Sequence, residues 1–64
     1  MTKKQIESAI KKGAKLWWND PDPIKGNDYT VDDIEVFDEM SIISYNKGNS
    51  EAEVYNHELS LKPI

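Results

Sequence analysis

Apolar residues recur at helical spacing only near the start of the chain, where Ile6, Ala9 and Ile10 form one stripe. Thr2 precedes the stripe and Gln5 follows it three residues on, which is a Thr-x-x-Gln capping box. Gly13 supplies a left-handed stop, and Lys11 and Lys12 lie where the negative end of the helix dipole favours cations. The spacing predicts a helix over 2–12. Isolated helices shorter than ~12–15 residues are marginal in water, so this one must dock on the rest of the chain.

Beyond Gly13 the period changes to two. Ala14-Lys15-Leu16-Trp17-Trp18 reads as a first strand, with Ala14, Leu16 and Trp18 inward and Lys15 and Trp17 outward. Asn19-Asp20-Pro21-Asp22-Pro23 ends it, and 19–28 is the longest loop. Tyr29 and Val31 are in phase, whereas Ile34 and Val36 are not, which calls for a bulge near Asp32-Asp33. A tight connection follows over Phe37–Met40. In a third strand over 41–45, Ile42 and Ile43 leave the inward face open. Asn46-Lys47-Gly48-Asn49 is a hairpin turn. Glu51 to Tyr55 alternates with Ala52 and Val54 inward, and Asn56-His57-Glu58 reads as one helical turn before a last strand over 59–61.

This pattern predicts an α+β fold as a single domain over 1–64. A short N-terminal helix is followed by a small five-stranded antiparallel SH3-like β-barrel over 14–62. A flat antiparallel sheet with the helix across one face is the alternative. No repeat or linker interrupts the chain.

Composition narrows the picture. Sixty-four residues allow one core, and a chain of that size buries only about 60% of its unfolded surface. The absence of cysteine excludes disulfides and thiolate metal sites and fits a reducing compartment. A hydrophobic share of 38% against 31% charged residues is close to the disordered boundary. Two Trp, three Tyr, one Phe and the clear periodicity put the chain on the folded side. No targeting segment is expected, nothing approaches a membrane span, and the expected location is the cytoplasm.

The net charge of −4 is unevenly spread: residues 1–15 carry +4 and residues 16–64 carry −8. A basic helix on an acidic body disfavours ordinary phosphate-backbone binding. With no Arg in the chain, bidentate phosphate or guanine contacts are unattainable.

Four short motifs occur in order: Trp18-Asn19-Asp20-Pro21-Asp22, Tyr29-Thr30-Val31, Ser50-Glu51-Ala52-Glu53-Val54 and His57-Glu58-Leu59. Together they resemble a group of small uncharacterised bacterial and mobile-element proteins. The resemblance covers about residues 14–61 and leaves out the N-terminal helix. It implies an SH3-like barrel and supplies no activity.

Catalytic chemistry finds little support. Asp20, Asp22 and Asp28 could offer oxygens to calcium, but the EF-hand spacing fails, with Lys25 where Gly is needed and Val31 where Glu is needed. One His cannot build a zinc site of several imidazoles, and His57 reads instead as a turn residue bonding backbone. None of the serines 8, 41, 44, 50 and 60 lies in a nucleophile-elbow context. Lys47-Gly48 lacks the rest of a phosphate loop. The expectation is no enzyme, no catalytic residue, no cofactor and no metal.

Surface aromatics are the binding candidates: Trp17, Tyr45 and Tyr55. For Trp17 the competing expectation is burial beneath the helix, against Ile6 and Ile10. The leading expected function is a non-enzymatic protein-interaction module whose partner is another protein. Nucleic acid is the second alternative, through the lysine-bearing helix and stacking aromatics. The third is acidic mimicry of nucleic acid through Asp32, Glu35, Glu51 and Glu53, against which stands a merely solubilising role for those acids. No membrane association is expected, and the chain is expected to be a monomer or a weak homodimer through the Ile6/Ile10 stripe.

Overall fold

The computed structural model describes residues 1–21 and 28–62. Helix α1 spans Lys3–Lys11, with Thr2 as its N-cap. The Thr2 hydroxyl accepts from Gln5 N at 3.2 Å and the Gln5 side chain accepts from Thr2 N at 2.8 Å, so the capping box closes in both directions. At the other end Gly13 N donates to Ile10 O and Ala14 N to Ala9 O, with Gly13 at φ +72°. These two bonds form a Schellman motif, which satisfies carbonyls the helix leaves open.

Five antiparallel strands follow: β1 Trp17–Asn19, β2 Asp28–Val36, β3 Met40–Tyr45, β4 Ser50–Tyr55 and β5 Leu59–Ser60, the last preceded by a 3-10 turn, η1, over Asn56–Glu58. Their order is β4-β3-β2-β1-β5. The fold is therefore α+β, with one short helix and a five-stranded antiparallel sheet, and among the described residues no ladder joins β4 to β5.

The connectivity nevertheless bends the sheet. In a flat sheet the two outer strands would lie four spacings, about 19 Å, apart. The chain from Tyr55 at the end of β4 to Leu59 at the start of β5 reaches at most about 14 Å. The sheet therefore curls around the core, leaving a concave inner face and a convex outer one.

The inner face carries the core. Ile6, Ala9, Leu16, Trp18, Ile43, Val54 and Leu59 form one buried cluster, with Tyr29, Val31, Ile34, Val36, Tyr45 and Ala52 packed around it. Alternation and register agree: Ile43 lies opposite both Ile34 and Ala52, so Ile43 and not Ile42 points inward. The expected bulge is present, as the β2–β3 register shifts between Val31 and Asp33. Two expectations need correction. Ala14 is exposed because it belongs to the helix cap and not to β1, which starts three residues later. Ile10 is 45% exposed, at the rim of a depression it shares with Val31 and Ile34 beside the bulge.

Two polar devices hold this curl. Asp32, extruded by the bulge, accepts from Gly48 N at 2.9 Å and so ties β2 to the β3–β4 turn. That turn runs through left-handed backbone at Asn46, Lys47 and Gly48, as a tight hairpin requires. Asn56 is the second device and is buried. Its Nδ2 donates to Phe37 O and Asp38 O, its backbone N donates to Glu39 O, and its Oδ1 accepts from Ser41 Oγ at 2.6 Å. Its own carbonyl accepts from Met1 N at 2.9 Å. One side chain thus clamps the β2–β3 hairpin tip to the turn that starts the return to β5. Sequence reasoning gave the backbone-bonding role to His57, but His57 is exposed and its neighbour Asn56 fills it.

Candidate functional site

The three aromatic candidates lie in three different places. Tyr45 is on the inner face, half-buried in a trio with Trp18 and Tyr29 whose ring centroids are 4.9–5.5 Å apart. It is a packing residue. Within that trio Trp18 Nε1 is buried and has no hydrogen-bond partner among the described residues. Trp17 points to the opposite side of β1 from Trp18, lies outside the core cluster, and carries the Lys15 ammonium 5.1 Å above its ring. It is not beneath α1, because the helix covers the face that Leu16 and Trp18 occupy. Tyr55 is 55% exposed and stacks on His57, with centroids 5.5 Å apart and planes 9° from parallel.

Tyr55 belongs to a larger surface. On the outer face of β2–β3–β4 the register aligns side chains in rungs. Asp33 lies opposite Ser44, and Ser44 opposite Glu51. Glu35 lies opposite Ile42, and Ile42 opposite Glu53. The Phe37 N to Met40 O bond extends the pairing by one more position, and Met40 lies opposite Tyr55. The result is two acidic rungs, one around Ser44 and one around Ile42, followed by an apolar rung of Phe37, Met40 and Tyr55. Phe37 is 45% exposed, and a shallow depression of about 330 Å³ lies among Asp33, Glu35, Ile42, Ser44 and Glu51.

The four carboxylates point to one side with no lysine in any rung. Glu35, Glu51 and Glu53 are where the acidic-surface expectation put them. Asp32 is exposed as well, but its carboxylate bonds the hairpin turn and it stands outside the rungs, where Asp33 follows the bulge. The apolar members Phe37, Met40 and Ile42 were missed by sequence reasoning. The outward phase of Ile42 follows only from knowing that Ile43 faces in. A face of this kind desolvates its aliphatic and aromatic groups readily and offers negative charge to a cationic neighbour.

Among the described residues no group of three or more His, Asp or Glu side chains is placed to hold a metal ion. The expected aspartate-rich loop falls largely in 22–27, outside the described residues. Among the described residues no helix is long and apolar enough to cross a membrane. Comparison of the chain with protein-family models, with curated proteins and with solved structures finds no match.

Proposed function

We propose that this domain is a non-enzymatic protein-interaction module, built on a curled sheet of the SH3-like barrel type, that presents the outer face of β2–β3–β4 to a basic partner. The observation that carries this reading is the apolar rung Phe37–Met40–Tyr55 lying directly beside four carboxylates that have no ion-pair partner among the described residues, on one open face. Aromatic and aliphatic side chains supply the anchoring area, and the acids select a Lys- or Arg-bearing partner. A basic nucleic-acid-binding protein is one such partner. Nucleic acid itself is disfavoured on this face by like charge. The non-enzymatic part rests on the openness of the face, which gives its carboxylates no enclosed pocket in which an acid–base pair could be tuned.

The test is affinity capture from native lysate after nuclease treatment, comparing the wild-type domain with a Glu35→Gln/Glu53→Gln/Tyr55→Ala variant. A basic protein held by the wild type, released by salt and lost with the variant is the expected result. Capture that is unchanged by the variant would remove the outer face from consideration.

A further inference from the structure

A second surface has the opposite character. Between α1 and β5 runs a groove of about 770 Å³ whose floor is Ala9, Ala14, Leu59 and Leu61 and whose rim carries Lys4, Lys12 and Lys62. Among the described residues no carboxylate lines it, although the chain has twelve acidic residues against eight basic ones. Leu61 is 57% exposed in its floor. The three rim lysines have no ion-pair partner among the described residues, where the recorded ion pair is Lys3 with Asp38.

We propose that this groove receives the acidic outer face of β2–β3–β4 from a second copy of the same chain, so that the domain associates head to tail. The proposal rests on the outer face being an interaction surface, as argued above, and names its partner. Three observations favour this occupant. The groove is apolar and cationic, whereas the outer face is partly apolar and anionic, so apolar character and charge both match. No residue of the outer rungs lines the groove, so one chain presents both surfaces at once. A two-fold dimer built on either surface alone would place lysines against lysines or carboxylates against carboxylates, which like-charge repulsion opposes, so the favourable contact joins the groove of one copy to the outer face of another. Such a pairing leaves each end of a dimer with one unused surface, so growth does not stop at two.

Sedimentation velocity over a concentration series tests this. In about 50 mM salt the wild-type mass should rise past that of a dimer with concentration, and about 0.5 M salt should return it to monomer, since screening shortens the reach of these charges. Two neutralised variants separate the surfaces: Lys4→Gln/Lys12→Gln/Lys62→Gln in the groove, and Asp33→Asn/Glu35→Gln/Glu51→Gln/Glu53→Gln on the outer face. Each alone should stay monomeric. Mixed, they should form a one-to-one heterodimer that grows no further, because each retains one working surface. Unfolding of either variant could not produce that heterodimer. Leu61→Ser should weaken association with no change of charge. Wild type that stays monomeric throughout, or a dimer indifferent to both sets of substitutions, overturns the proposal. If self-association is absent while the outer-face variant still loses a foreign basic partner, head-to-tail pairing falls and the interaction-module reading stands.

Discussion

The two faces of β2–β3–β4 are made by the same three strands, yet they obey different constraints. On the inner face Ile43 and Val54 are fully buried and touch α1 and β5 through one continuous cluster. One residue earlier in each strand, Ile42 and Glu53 face outward, outside the core cluster. Alternation therefore separates the packed face from the open one at single-residue resolution. The inner face must be apolar and of fixed volume, whereas the outer face can carry any charge pattern that leaves the strands paired.

The sharpest way to break that comparison is to truncate neighbours. Ile43→Ala should lower unfolding free energy by about 3 kcal/mol in urea titration, and Ile42→Ala by less than ~1, since only the first opens a cavity. Equal effects would mean that the outer face is packed after all. Next comes Asn56→Ala, with an expected loss of about 2–3 kcal/mol, because two carbonyls and the Ser41 hydroxyl lose their buried partner. A loss under ~0.5 would show that water replaces the clamp. Asp32→Ala should cost about 1 kcal/mol through the exposed bond to Gly48, and more than Asp33→Ala, because the Asp33 carboxylate accepts only from the next residue's N–H and ties no second strand. The smallest effect is on the outer face. Glu51→Gln/Glu53→Gln should raise the thermal midpoint slightly at low salt and leave it unchanged at high salt, since neighbouring carboxylates repel when unscreened. A large drop would tie those acids to the fold.

Features written in local chemistry were legible in the sequence. The Thr2–Gln5 box, the Gly13 stop and the Asn46–Asn49 turn each depend on neighbours within a few residues, and all three formed. The bulge was legible too, because a phase break between Val31 and Ile34 has few other solutions. What the sequence hid depends on tertiary placement. Ile10 continues the helical stripe but overhangs the bulge, and Ala14 alternates with Leu16 but is consumed by the helix cap. The inward member of the Trp17-Trp18 pair was legible, by contrast, because Trp18 alternates with Leu16, and both are in the core. The candidate face was half visible: its acids stood out as a charge pattern, whereas its apolar rung is assembled from three strands' ends.

The Asn56 clamp also bears on how fast the domain opens. Its side chain joins Phe37, Asp38 and Ser41 to a residue fifteen to nineteen positions later. Contacts of that span close longer loops than the β2–β3 and β3–β4 hairpins do, which sets them late in the expected order of folding. Refolding of Asn56→Ala should therefore keep nearly its wild-type rate while unfolding accelerates, which makes one buried amide the timer on the native state's lifetime.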